Sequence, residues 1–314
     1  MNSNDRITAE IIADSVNWKG DRLTSFILVI PRIVLAEFNT HRAISRNSAS
    51  SRAIPLKTMI KKVMKEPFIP IAWQKDHSGM QGTEYFTGFK ASLIRQLWLT
   101  SRNFAVLSAK LLNAVGVTKQ LANRILEPYL YHTIIATATE WENFIALRAH
   151  SAAEIHINDV ALKMLDCLNK SYPTFLKEGD WHVPFGHRMP DDRLRKFLND
   201  NVFHGRLPEL GKDTLFPVPP AEYAIEYNAL KVKIATARCA RVSYLNFEGS
   251  DDYSKDVKLH GALASMGHWS PFEHCAEAMG EGVEDWSGNL RGFIQYRKTF
   301  YGENKKDLRV ISKK

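Results

Sequence analysis

The sequence predicts an α+β fold, helix-rich with a small antiparallel sheet. Two observations carry that expectation. Apolar residues recur at helical spacing in several separate stretches, and only one segment, RLTSFILVIP, reads plainly as a strand. The chain has 314 residues and a mass of 35.7 kDa, enough for one large domain or two ordinary ones. With 45% apolar and 24% charged residues it is ordinary for a globular protein, which excludes collagen-like, disordered and disulfide-scaffold classes.

The elements follow in order. Residues 22–38 read as a strand broken at Pro31 and then a short helix. TMIKKVMKEP is a short helix stopped by Pro67, and 68–90 reads as irregular. Leu93, Leu97, Phe104, Leu107 and Leu111 predict a long amphipathic helix over 91–115, with these residues on its packed face and an end near Gly116. A helix over 119–126 precedes Pro128. Thr139 with Glu142, and Ser151 with Glu154, have capping-box spacing and open two more helices, through Arg148 and through Leu168. Seven of the 13 prolines fall in 173–220, a connector with one short helix at 191–198. Pro220 suits the first turn of the next helix. Further helices are expected over 255–266 and 288–300. This divides the chain into 1–172, a connector over 173–219, and 220–314.

No apolar run reaches the roughly 18–20 residues of a membrane helix, and the start lacks a signal-peptide pattern. Cys167, Cys239 and Cys275 lie far apart, which fits a reducing cytoplasm and gives no zinc or other metal signal. The net charge of +8 favours anionic partners. No aromatic-interleaved basic stripe or nucleic-acid-binding signature accompanies it, so nucleic acid is not the expected partner.

The stretch from Thr40 to Arg52 concentrates the chemistry, with three guanidinium groups, one imidazole and five hydroxyls in thirteen residues. Arginine forks and hydroxyls together suit a phosphate. Three charge-assisted bonds of about 1.5–3 kcal/mol each could hold a nucleotide monophosphate at roughly micromolar affinity. A solvated polar loop is the plain alternative.

His41, Arg42, Ser45, Asn47, Ser50 and Arg52 stand in the register RHRxxSxNExSxR. This resembles the signature of the flavin-dependent thymidylate synthases, the ThyX family. The chain departs from it at Thr40 and Ser48, and Glu37 stands where a Gln is usual. NRILEP, from Asn123 to Pro128, resembles A-R-x-x-L-P, and NFIALR, from Asn143 to Arg148, resembles N-F-x-x-L-R. Residues 235–244, ending in ARVSY, and the HWSPFEH run from His268 to His274 resemble blocks that the family carries near its N-terminus. Here they lie near the C-terminus, so the motif order looks circularly permuted. GFIQYRK, from Gly292 to Lys298, faintly repeats the approach to the basic loop.

The resemblance implies methylation of dUMP to dTMP with FAD, methylene-tetrahydrofolate as carbon donor and NADPH as reductant, without an enzyme cysteine. It implies a pyrimidine deoxynucleotide site formed by Glu37, Ser48, Ala49, Ser50, Ser51, Arg52, Arg124 and Arg148. Arg148 is the implied catalytic residue, stabilising negative charge on the pyrimidine; a structural salt bridge is its bland alternative. His41, Arg42, Asn143, His268 and Ser270 are implied for the flavin, whose usual N-A-R triplet is here Thr137-Ala138-Thr139. His274 reads as a core histidine and Cys275 as a buried thiol. The family also implies a homo-oligomer, a tetramer. A flavin-dependent hydroxymethylase, a dCMP-acting relative and a non-catalytic nucleotide- or flavin-binding protein are the alternatives.

Overall fold

A computed structural model describes residues 6–48, 50, 54–77, 82–204, 220–242, 251–282 and 285–304. The N-terminal half runs β1 (Thr8–Val16), β2 (Arg22–Pro31), α1 (Leu35–Phe38), β3 (Ser45–Ser48), α2 (Leu56–Lys65), β4 (Trp73–Gln74), β5 (Tyr85–Phe86), α3 (Gly88–Ala114), α4 (Lys119–Ala122), β6 (Tyr131–Ala138), α5 (Glu142–Arg148) and α6 (Ile155–Lys170). There follow β7 (Thr174–Phe175), β8 (Trp181–His182), α7 (Asp191–Leu198), α8 (Pro220–Arg241), α9 (Tyr253–Met266), β9 (Ala276–Ala278), β10 (Trp286–Ser287), β11 (Leu290–Arg291) and β12 (Phe293–Gln295).

The main sheet has the order β3-β6-β2-β1-β7, antiparallel except for the short β1–β7 pairing. β2 lies at its centre and is covered on both faces, which is why its sequence is continuously apolar from Phe26 to Pro31. Successive side chains take opposite faces. Phe26, Leu28 and Ile30, with Ala136 and Ala138 of β6, pack under Phe144 of α5 and Ile157, Val160 and Met164 of α6. The other face sends Ile12 and Ile135 against Leu194 and Leu198 of α7 and Ile234 and Ala235 of α8. A separate core joins α2, α3 and a 3-10 segment, Asn123–Tyr129.

A buried polar seam stitches the second layer to the sheet. Ser15 Oγ is hydrogen-bonded to His182 Nδ1 at 2.9 Å, and His182 Nε2 to Ser25 Oγ at 2.9 Å. Ser25 then meets Thr137 Oγ1 at 2.6 Å, and Thr137 meets His274 Nδ1 at 2.8 Å. Burial pushes both imidazoles down to about 3, so they are neutral. His274 and Cys275 are core residues, as their sequence context suggests.

The strand and short helix over 22–38 and the helices at 56–65, 191–198, 220–241 and 253–266 stand close to where the sequence places them. Other expectations change. The segment 288–300 is not a helix. Gly288 (φ +64°) and Gly292 (φ +71°) take left-handed turns, and β10, β11, β12 and a 3-10 turn occupy the region. The 119–126 helix is shorter, α4 passing into the 3-10 segment. Neither capping box forms as spaced. Thr139 Oγ1 accepts from the Arg291 backbone N–H at 3.0 Å, and α6 is capped by the Glu154 carboxylate on the N–H groups of His156 and Ile157. β1 and β6 carry no strand signal that the sequence reading found. The long helix exists as α3, but its apolar stripe faces outward.

Candidate functional site

The basic loop hangs between α1 and β3. Phe38, the last residue of α1, meets Phe144 edge to face, and the His41 ring meets the same phenyl at 4.9 Å. Arg46 Nη1 donates to the carbonyls of Asn39 and His41, each at 3.0 Å, and so closes the loop on itself. Thr40 Oγ1 donates to the Glu37 carbonyl at 2.6 Å. A residue at the motif's first Arg position is therefore spent on local structure.

Three sequence-predicted residues meet here. Arg148 Nε donates to His41 Nε2 at 3.0 Å, and Arg148 Nη1 lies 3.8 Å from Glu37 Oε2. Accepting at Nε2 requires the unprotonated ring. Burial, with Arg148 and Arg46 nearby, holds His41 below its ordinary 6.5 and favours that form. Burial and the Glu154 carboxylate raise Glu37, against the pull of Arg148. The cluster thus presents one guanidinium fixed by an imidazole on one side and a carboxylate on the other.

Arg124 stands half-exposed across a cleft of about 450 Å³ from Leu35, Ala36 and Asn39, the stretch that carries Glu37. Glu127 lies 3.6 Å from it and 3.4 Å from Arg32, whose other arm donates to His132 Nε2 at 3.0 Å. Asn123, a departure from the family's Ala, is buried and donates to the Ile54 carbonyl at 2.9 Å. It anchors the segment bearing Arg124 to the chain just beyond the basic loop.

The C-terminal blocks return to the same loop. Asn47 Nδ2 donates to the Cys239 carbonyl of α8 at 2.6 Å, and Ser270 Oγ donates to Asn47 Oδ1 at 3.3 Å. Ser45 Oγ donates to Asn289 Oδ1 at 3.0 Å, while Asn289 Nδ2 donates to the Ala43 carbonyl at 2.7 Å. Gln295 Nε2 donates to the same Asn289 oxygen at 2.7 Å. Asn289 and Gln295 were not foreseen as site residues, although Gln295 lies in the GFIQYRK echo. Arg241 of the ARVSY block instead binds buried Asp256 at 2.6 Å.

The remaining expected residues divide. Arg42, Asn143 and His268 are exposed, while Ser48 and Ser50 are half-buried. Ala49, Ser51 and Arg52 lie outside the described residues, as do Ser243 and Tyr244. Exposed Arg42, Asn143 and His268 are donors that suit the diphosphate and ring edges of a flavin. Thr137 and Thr139, at the triplet positions, turn to the seam and to Arg291, so they add nothing to that donor set.

Residues 23–174 match the family described as thymidylate synthase complementing protein, Thy1. Two solved structures that it resembles are those of a UMP/dUMP methylase, PolB, from Streptomyces cacaoi, bound with 5-Br UMP and with 5-Br dUMP. Each is 17% identical with a TM-score of 0.43, over 52% of this chain and 89% or 90% of its own. No curated protein matches the chain. No helix among the described residues is long and apolar enough to cross a membrane.

Proposed function

We propose that the protein is a flavin-dependent, thymidylate synthase-like enzyme that methylates dUMP to dTMP, with methylene-tetrahydrofolate as carbon donor and NADPH as reductant. The observation that carries the reading is the Arg148–His41 contact at 3.0 Å. It joins the two motif blocks most characteristic of the family in one site, within the matched residues.

In this reading Arg148 faces the pyrimidine and stabilises negative charge on the ring, which makes C5 a better carbon nucleophile. His41 holds the guanidinium by accepting from Nε, leaving its remaining N–H groups for the base. Arg124 and Arg52 clamp the nucleotide, with Ser50 and the backbone of 48–51 at its phosphate. Arg42, Asn143, His268 and Ser270 hold FAD. Reduced FAD, when bound, supplies the hydride, and the protein supplies position and charge. Ser270 reaches Asn47, and this contact between the C-terminal block and the basic loop supports the reading.

The test is the absorbance spectrum of the purified protein, its change on adding dUMP, and a product assay with methylene-tetrahydrofolate and NADPH. Flavin bands perturbed by dUMP, followed by dTMP formation, are expected. A protein that cannot be loaded with FAD sinks the reading. Conversion of dCMP, or a hydroxymethyl product, would move it to the corresponding alternative.

A further inference from the structure

α3 is 27 residues long, about 40 Å, and among the described residues it packs on its own chain with one side only. Ala105, Val106 and Ala109, with Trp98, face α2 and the 3-10 segment. The opposite side carries Leu93, Leu97, Thr100, Phe104, Leu107 and Leu111, at spacings that alternate between four and three residues. That is the heptad seam of a coiled coil. Its Leu and Phe residues are all more than half exposed, and Phe89 and Val115 extend the stripe at its two ends. Taking about 200 Å² for a fully exposed large apolar side chain, the stripe presents on the order of 900 Å². Monomers rarely show contiguous apolar patches that large, and one partner of a standard interface contributes about 800 Å².

We infer that this seam is a self-association surface, and that a second copy of the chain covers it through the same helix, antiparallel. The charge pattern points to a like partner. Lys110 is the one charged residue among the positions that flank the seam between 94 and 115, while Arg95 and Arg102 lie off it. Two copies therefore meet without like-charge repulsion, and an acidic partner finds little to pair with. The packing is self-complementary. Antiparallel layers would set Leu97 on Leu107, Leu93 on Leu111 and bulky Phe104 on small Thr100, each contact made twice about a two-fold axis. The helix dipoles then oppose rather than align. The inference rests on α3 alone and is independent of the reaction proposed above.

Sedimentation of the full chain at tens of micromolar tests it. The expected mass is an even multiple of 35.7 kDa. Leu97→Glu/Phe104→Glu should run at half the wild-type mass or lower, with an unchanged circular dichroism spectrum, because both side chains are exposed within one copy. A wild-type monomer overturns the proposal, and so does a folded double variant that keeps the wild-type mass. A second measurement does not depend on that variant. Mild oxidation of mixed Leu93→Cys and Leu111→Cys chains should link unlike chains. Linkage of like chains only, or none above wild type, overturns the antiparallel seam.

Discussion

Two histidine clusters lie on opposite faces of the main sheet, and the sheet treats them oppositely. On the α8 side, His182 and His274 are sealed in a seam with Ser15, Ser25 and Thr137, and every partner is neutral. On the α1–α5 side, His41 is half-buried and its partner is a guanidinium with a carboxylate beside it. A neutral chain buried this deeply is closed to solvent and serves to fix one layer on another. A charged, partly open cluster keeps N–H groups available. Side-chain type alone therefore separates nothing here; the charge and exposure of the partner separate stability from chemistry.

The largest test of that contrast is Arg148→Ala. Turnover should fall by about 10²–10³-fold, the scale for losing one preorganised charge stabiliser. The melting temperature should scarcely move, because Arg148 is partly exposed and its ion pair with Glu37 is long. Dissociation constants measured beside turnover would expose a merely structural role, which would lower stability and binding together.

Thr137→Val is the complementary substitution. It keeps the volume but cuts the hydrogen bonds to Ser25 and His274. Leaving buried groups unpaired costs about 1–3 kcal/mol, read as a lower denaturant midpoint with unchanged slope. Turnover per folded molecule should remain near wild type. A large loss of turnover without loss of stability would place Thr137 in the site and break the comparison.

The two clusters also separate along the pH axis. His182 and His274 are held near 3, as is His132, and His260 near 4, chiefly by burial, against an ordinary 6.5. Each takes up its proton more readily unfolded than folded. Its stabilising contribution is complete above about 6.5 and is lost as pH falls towards the folded value. Asp256, raised by burial to about 6, opposes them between its ordinary 3.8 and 6. Four groups against one predict a net loss of stability on acidification, measured as denaturant midpoints between pH 7 and 4. Turnover should fall over a separate limb, as His41 takes a proton below its ordinary 6.5 and can no longer accept from Arg148.

Local chemistry made part of this legible in the sequence. Pro31 and Pro220 mark real boundaries, and the basic loop with Arg148 forms one cluster. Tertiary context hid the rest. The length of α3 follows from its periodicity, but the face that it buries is decided by α2 and the 3-10 segment. The helical spacing over 288–300 gave way to glycines in left-handed turns. Thr139 and Glu142 have the spacing of a cap, yet a backbone N–H from residue 291 takes the hydroxyl. Asn289 carries no local pattern at all; its role at Ser45 and Ala43 exists because distant segments meet.

The smallest expected effect concerns Glu37, which stands where the family pattern has Gln. The carboxylate lies 3.8 Å from Arg148 and is partly exposed, so its ion pair contributes at most about 1 kcal/mol to folding. It also places a negative charge beside a site proposed to hold an anionic nucleotide. Burial and Glu154 raise its pKa, so the charge is partly removed as pH falls towards the carboxylate range. Glu37→Gln removes the charge at every pH while keeping the side-chain shape. Nucleotide affinity at neutral pH should then tighten by about 2–5-fold, the yield of a weak partly screened repulsion of up to about 1 kcal/mol. The wild-type rise in affinity on mild acidification should flatten in the variant. Titration of dUMP and dCMP against both proteins at pH 7.5 and 5.5 reads this directly. Weaker binding of the variant to both nucleotides would show that the carboxylate is itself a ligand to the base, accepting an N–H, and that this chain uses the exchange of Gln for Glu in recognition.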